Sequence, residues 1–367
     1  MPHAGHGEGI NLVAGIPIRN LWLLMLYASD LFRHAGYRWG GIEENPDDIP
    51  DLVAELLAAE VERRLARNLT NGYVSRQAVL ARVRGRVDFL RTERRRLLER
   101  GMAACRYEAL TVDTLRNRFV RSALESVAKV LRRSELKWRC QTLSGSLKRM
   151  GVSGGRPSWS EASADRVGRH DLDDRRMMEA ARLAFEMVLP TEAIGSRLLH
   201  PPDWEIHWVR RLYEKAVAGF YCVVLTPSGW RVEAGKQMHW QVTEKTSGIS
   251  GLLPSMRTDI VLERRGAGKR IVIDTKFTSI LTKGWHRDLT FRSAHIYQIY
   301  AYLRSQVGTG DARAENASGI LLHPAIDTMV DEAAVIQGHE IRFATVDLGG
   351  DTVSIRRRLL ELVSGSS

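Results

Sequence analysis

The chain has 367 residues, a formal net charge of +11 and a hydrophobic fraction of 44%. That length suits two domains, the hydrophobic fraction is ordinary for a globular protein, and the charge favours a polyanionic partner. Leu21 to Ala28, the longest apolar candidate, is far short of the roughly 20 residues of a membrane helix. Three scattered cysteines with no C-x-x-C pair argue against a disulfide framework and for reduced cytosolic thiols.

In chain order, residues 1–15 are polar. The start MPHAGHGEGIN has no apolar stretch, which argues against a secretory signal and for a cytoplasmic protein. Ile16 to Phe32 reads as a helix, Gly36 to Pro50 as a loop and Asp51 to Leu69 as an amphipathic helix. Val74 to Phe89 reads as strand and turn. Arginines are dense from Arg82 to Arg100; they form a DNA or partner surface, or a solvated helical face in which Glu93 and Glu99 supply ion pairs. Asp113 to Arg133 is read as a helix, the serine- and glycine-rich Ser144 to Ser163 as a loop, and Arg175 to Leu189 as a helix. Pro190 and then Pro201-Pro202 punctuate the chain, which places a domain boundary near His200. Trp208, Leu212, Ala216 and Phe220 recur at helical spacing within Trp204 to Leu225. Ala317 to Leu322 and Arg342 to Leu348 are short strands, and Thr352 to Val363 is a closing helix.

The chemistry concentrates in Leu253 to Phe277, LPSMRTDIVLERRGAGKRIVIDTKF. Ile260 to Leu262 and Ile271 to Ile273 are β-type runs around a turn at Gly266 and Gly268. Residues equidistant from a hairpin turn face each other, and the midpoint of Asp259 and Asp274 falls between Gly266 and Ala267. The two carboxylates should therefore sit nearly opposite, with Cβ atoms roughly 5 Å apart. Alternation puts Asp274 and Lys276 on one face and sends Ile271 and Ile273 into a core. Two like charges so close are costly unless a cation lies between them. A hard divalent ion takes carboxylate oxygens, a carbonyl such as that of Thr275, and waters. It can activate water against a phosphodiester, with a neighbouring lysine orienting that water. The alternative is an exposed hairpin with solvated charges.

Two flanking helices bear on this choice. Gln298 and Tyr302 stand at i,i+4 in Ala294 to Leu303 and share a face; they could bind DNA phosphates or brace Lys276, or be incidental polar groups on an amphipathic helix. Glu214 lies on a different stripe from the apolar one of its helix. It is a further acidic group for the metal or a surface partner of Arg210 or Arg211, and spacing alone favours the ion pair.

The order of a glutamate-bearing helix, a D…DxK hairpin and a QxxxY helix resembles the PD-(D/E)xK nuclease superfamily. Leu253-Pro254, Met256, Thr258-Asp259-Ile260 and Ile273-Asp274-Thr275-Lys276-Phe277 resemble more closely the McrC family, endonuclease subunits of bacterial McrBC systems that restrict DNA carrying 5-methylcytosine. Tyr213-Glu214-Lys215, Ile16-Pro17-Ile18-Arg19-Asn20 with the following Leu21 to Ala28, Arg84-Gly85-Arg86-Val87-Asp88-Phe89 and Asn117-Arg118 are similar to further family motifs.

The resemblance implies an α/β (α+β) chain: an N-terminal partner-binding α+β domain over residues 1–200, then a restriction-endonuclease-like domain over 201–367 with a mixed central sheet flanked by helices. It implies Mg2+, with Mn2+ as an alternative, held by Asp259, Asp274 and Thr275. Lys276 would act on water, Glu214 would be a further acidic group, and Gln298 and Tyr302 would support the site or bind DNA. It also implies a separate AAA+ GTPase ring, McrB-like, which binds GTP, reads the modified base and is stimulated by the N-terminal domain. Consistent with this, Gly266-Ala267-Gly268-Lys269 is a turn and no G-x-x-x-x-G-K-[ST] loop occurs. A RecB-like repair nuclease without a GTPase, and a GTPase-activating adaptor with a vestigial nuclease fold, are the two alternatives.

Overall fold

The computed structural model describes residues 12–13, 16–35, 44–164, 172–195, 203–264, 266, 268–284, 288–326 and 328–364. The chain forms two compact units, Met1–Ile49 together with Leu189–Ser367, and Pro50–Val188. A single cut near His200, a residue outside the described ones, does not reproduce this division. The first 49 residues return to the unit that holds the hairpin, for reasons visible in the packing of their helix.

The discontinuous unit is built on a six-stranded mixed sheet. Helix α1 (Ile18–Ala28) comes first and α2 (Asp203–Leu225) follows the excursion into the other unit. Then come β1 (Trp230–Ala234), β2 (Ile260–Arg264), β3 (Lys269–Thr275), α3 (Ser293–Arg304), β4 (Ser318–Pro324), β5 (Asp331–Ile336), β6 (His339–Val346) and α4 (Thr352–Ser364). The strand order is β5-β6-β4-β3-β2-β1. The β3–β4 and β4–β6 pairs are parallel and the others antiparallel.

Period-two alternation sorts the residues of β2 and β3 between two faces. Val261 and Val272 pack with Leu321, Ile299, Tyr302 and Leu303 in the core beneath α3. Ile260, Leu262, Ile271 and Ile273, each fully buried, point to the opposite side. Gly319 of β4 lets α3 approach, since a Cβ there would lie 2.8 Å from Ile299 Cδ1. The edge strands β1 and β5 escape sequence analysis: β1 is only five residues long, and β5 is exposed at nearly every position.

Helix α1 is buried along most of its length. It packs on α2, where Tyr27 and Phe220 have ring centroids 5.2 Å apart. Gly219 permits the contact: a Cβ there would fall 1.9 Å from the Tyr27 carbonyl oxygen. The buried Asn20 amide donates to the carbonyl oxygens of Leu348 at 2.6 Å and Gly350 at 2.9 Å. Tyr221 Oη of α2 donates to Leu359 O of α4 at 2.8 Å. The Ile16-to-Ala28 motif is therefore part of the sheet unit rather than of a separate front domain.

The unit Pro50–Val188 joins helices Ile49–Ala66, Leu115–Val127 and Ser134–Arg149 to a three-stranded antiparallel sheet of Gly72–Leu80, Ala103–Thr111 and Arg86–Val87. Ser144 to Arg149, expected as loop, is helical because Leu136, Cys140, Leu143 and Leu147 are buried at helical spacing. Helix Leu172–Gly195 runs through Pro190, expected as a break. Its upstream positions Met177, Ala181, Ala184 and Val188 are all buried, and packing of that kind overrides local propensity. The helical ion pairs expected of Glu93 and Glu99 are not among the described contacts. The helix there spans only Phe89–Arg94, and Arg96 takes φ 47, which breaks the i,i+4 spacing.

Asp174 organises this unit. It is 2% exposed, pairs with Arg116 at 2.9 Å and Arg64 at 2.9 Å, and accepts from Thr70 Oγ1 at 2.6 Å. Asp174→Ala leaves the buried Arg116 without that carboxylate, and loss of one member of a buried pair costs about 3–5 kcal/mol. Urea denaturation should show this loss in the unit's transition; a change under about 1 kcal/mol would mean that the network contributes like a surface ion pair.

Candidate active site

The site grows from the β2–β3 hairpin. Gly266 and Gly268 take φ 81 and φ 62, left-handed values that glycine adopts without steric cost. The ladder pairs Lys269 with Arg264 and ends with Ile273 opposite Ile260. Asp274 and Asp259 follow directly on these two residues. Strand alternation puts Asp274 on the face of Val272, the side that packs beneath α3.

Their environments differ. The backbone N–H and Oγ1 of Thr275 donate to Asp259 Oδ2 at 2.7 and 2.8 Å. Asp274 is fully buried. Lys276 Nζ lies 2.8 Å from its Oδ2 as an ion pair, yet neither carboxylate oxygen accepts an aligned hydrogen bond. Burial pushes the Asp274 carboxyl up, Lys276 opposes this and the charge of Asp259 adds to it, leaving its pKa at about 6. Lys276 is 8% exposed, and its N–H donates to Leu322 O at 3.0 Å, which carries β3 one residue further along β4.

Helix α2 brings Glu214 to this hairpin. Glu214 is half-buried and makes no ion pair with Arg210 or Arg211 among the described residues. Burial first, then the Asp259 charge, raises its pKa, while Arg257, Lys276 and Arg210 oppose the rise. Its face is thus the one turned to the hairpin. Helix α3 supplies Gln298, whose Nε2 donates to Tyr302 Oη at 2.7 Å; Tyr302 Oη donates to Arg257 O at 2.9 Å. Burial raises the Tyr302 pKa, the Gln298 hydrogen bond opposes this, and the charges of Asp274 and Asp259 add to it. The structure thus brings Asp259, Asp274, Thr275 and Lys276 together at the end of the hairpin, with Tyr302 held to the backbone at Arg257 and Glu214 within reach of the Asp259 charge.

Two histidines missed at the sequence level stand beside them. His323 of β4 is 1% exposed, and its Nδ1 lies 2.8 Å from Thr278 O. His295 of α3 lies with its ring centroid 5.5 Å from that of His323. Signals for both were present: His295 precedes Gln298 by three positions on the same helical face, and His323 follows directly on a fully apolar strand segment.

A family model for the McrBC 5-methylcytosine restriction system component matches residues 2–324. The chain belongs to this McrBC family. It is 24% identical over 358 residues to the Type IV methyl-directed restriction enzyme EcoKMcrBC of Escherichia coli K12, covering 95% of this chain and 97% of that relative. Among solved structures, it is similar to a chain in a half-complex from a tetradecameric assembly of Thermococcus gammatolerans McrB AAA+ hexamers with bound McrC. There the identity is 14%, the coverage 94% of this chain and 76% of that one, and the TM-score 0.42. A second Thermococcus gammatolerans McrBC complex matches at 17% identity over 51% of this chain and 60% of that one, with a TM-score of 0.34. Among the described residues no helix is long and apolar enough to cross a membrane.

In this McrBC family member the donor set suits a hard cation. Asp274 offers two oxygens cut off from water with Lys276 against them, and the charge of Asp259 bears on the same carboxyl. Oxygen donors of this kind are what Mg2+ takes. No cluster of three or more His, Cys, Asp or Glu ligands occurs among the described residues, so carbonyl, water and phosphate oxygens would complete such a shell. Glu214 stands as a neighbouring acid rather than as a third member of a ligand cluster.

The buried His323 makes stability sensitive to acid. Burial holds its pKa down to about 4, with the Thr278 hydrogen bond opposing and His295 and Lys276 adding to the depression; an unfolded imidazole titrates near 6.5. Above that value both states are neutral and stability is intact. As pH falls from about 6.5 to about 4, the unfolded chain takes a proton that the folded one refuses. The loss reaches about 3 kcal/mol at about 1.4 kcal/mol per unit. Denaturation midpoints of wild type and His323→Leu should converge across that window; parallel curves would remove His323 as the cause.

Proposed function

We propose that this chain is the endonuclease subunit of a GTP-dependent restriction complex that hydrolyses phosphodiester bonds in DNA carrying modified cytosine. The observation that supports this most directly is the pairing of Asp259 with the buried, unsatisfied Asp274 carboxylate, with Lys276 against it. When bound, Mg2+ or Mn2+ would polarise the phosphodiester and lower the pKa of water; Asp259, Asp274 and the Thr275 carbonyl would hold it. Lys276 orients the attacking water and offsets charge that develops on the phosphorane. Glu214, its pKa raised by burial and by the Asp259 charge, would be a further acidic group that can accept a hydrogen bond from that water. Gln298 and Tyr302 hold the backbone at Arg257 and so fix the approach of Asp259. Belonging to a restriction-system family, the +11 charge and the DxK geometry all favour DNA as substrate.

In this reading the unit Pro50–Val188 docks on and stimulates an AAA+ GTPase of the McrB kind. That partner binds GTP and reads the modified base, and the complex acts in the cytoplasm. The test pairs the full chain with the AAA+ GTPase encoded beside it and measures GTP hydrolysis and Mg2+-dependent cleavage of methylated and unmethylated DNA. Stimulated GTP hydrolysis with methylation-dependent cleavage is the expected result. Cleavage indifferent to GTP would favour a repair nuclease, and GTPase stimulation without cleavage under any divalent ion would favour an adaptor.

A further inference from the structure

The face of α3 that covers the hairpin does not end at Gln298. His295, Gln298 and Tyr302 follow one another at i, i+3 and i+7, a single stripe of the helix. Tyr302 lies at the Arg257 end, and His295 lies at the other end, in the first turn of the helix. The β3–β4 register sets what it meets there. Thr275 pairs with Leu322 in parallel, so the next step places Lys276 beside His323, both on the α3 side. His323 is locked: its Nδ1 is 2.8 Å from a backbone carbonyl oxygen, so that nitrogen carries the proton. The His295 ring rests against it at 5.5 Å between centroids and 38° between planes.

The surroundings of His295 are cationic. Burial, followed by the charges of Lys276, Arg292 and Arg210, holds its pKa below the ordinary imidazole value. The same Arg210 bears on Glu214, and Arg292 also bears on His323, so these groups surround one locality. Arg210 and Arg292 are exposed and make no ion pair among the described residues. Unpaired guanidinium groups beside a half-buried histidine invite an anion, and the anion that a DNA-cleaving site meets is a backbone phosphate. A histidine serving only as core filler would have no reason to keep an accessible edge toward such charges.

We propose that His295, Arg292 and Arg210 form a phosphate-binding edge on the Lys276 side of the site, with His295 donating a ring N–H to a DNA phosphate oxygen and His323 serving as the platform that orients its ring. This inference rests on the nuclease reading and deepens it: His295 is a substrate-contacting residue that extends the Gln298–Tyr302 stripe by one turn. The cationic surroundings disfavour a charged ring, so His295 contributes a hydrogen bond and the arginines contribute charge.

That distinction makes the proposal testable with the full-length chain and a fluorescent duplex, with Ca2+ as the divalent ion, over a range of salt. His295→Leu keeps an apolar contact on His323 and loses the donor; duplex affinity should fall about ten-fold, as for a hydrogen bond to a charged group, with the salt slope unchanged. His295→Asn restores a donor and should recover most of the affinity. Arg292→Gln should reduce the slope of log affinity against log salt by about 0.9, the value for one phosphate contact. Wild-type affinity in His295→Leu, or equal loss in the leucine and asparagine variants, overturns the proposal, since packing alone would then explain the residue. If His295→Leu does not fold, an unchanged salt slope in Arg292→Gln overturns it equally. Asp274→Asn separates this failure from that of the nuclease reading. Cleavage lost there with binding unaffected at His295 sinks only the phosphate edge, whereas cleavage surviving there sinks the active site itself.

Discussion

Asp274→Asn should abolish DNA cleavage while leaving stimulation of the partner GTPase intact. The reason is the asymmetry between the two aspartates. Asp259 is anchored by the N–H and hydroxyl of Thr275, whereas Asp274 is sealed from water with no aligned donor. A carboxylate left in that state costs stability, and burial accordingly holds its pKa at about 6. A divalent ion removes the conflict, so affinity for the ion should depend chiefly on Asp274. Asparagine keeps the shape and removes the charge. Transition-state stabilisation of several kcal/mol is lost with the ion, about a thousand-fold or more in rate at 1.4 kcal/mol per factor of ten. A second readout needs no cleavage: Mg2+ should raise the melting midpoint of the wild-type chain and leave that of the variant unmoved. Cleavage within ten-fold of wild type, or equal Mg2+ stabilisation of both proteins, would show that the assigned site is wrong.

Gly219→Ala should be the most damaging single methyl group in the sheet unit. A Cβ at that position would lie 1.9 Å from the Tyr27 carbonyl oxygen, and that oxygen belongs to the backbone, so no side chain can swing aside. Helices α1 and α2 would have to separate, disturbing the Tyr27–Phe220 contact and straining the Asn20 hydrogen bonds to Leu348 and Gly350. Overpacking of a well-packed core costs about 1–3 kcal/mol and more when backbone must move; a loss of about 3 kcal/mol or more is expected here. Chemical denaturation measures it, and a loss under about 1 kcal/mol would mean that the two helices are not held as closely as described. The same contact predicts that a nuclease fragment beginning after residue 200 exposes the apolar face of α2 and does not fold as the intact unit does.

Legibility followed locality. The hairpin was readable because its register depends on a turn of a few residues and its faces on a period of two, so Asp259, Asp274 and Lys276 could be assigned together. Gln298 and Tyr302 were readable as a pair for the same reason, since i,i+4 spacing needs only one helix. Glu214 was not: spacing favoured Arg210 or Arg211 as its partner, and the rotation of α2 against the sheet turned it instead toward Asp259. The serine-rich segment after Ser144 was misread because its composition resembles a loop, while Cys140, Leu143 and Leu147 bury a helical stripe.

By itself, the sequence determined that two carboxylates and a lysine share one face at the end of a buried strand, because strand alternation and hairpin register are local geometry. Only the tertiary structure decided that Asp274 is sealed from water with Lys276 against it, that His295 meets His323, and that the first helix folds back onto α2 across most of the chain. Each of these depends on segments far apart in sequence closing on one another, the Asn20–Leu348 bond spanning 328 positions. Burial and close approach arise from that closure, and no short-range pattern of residues encodes it.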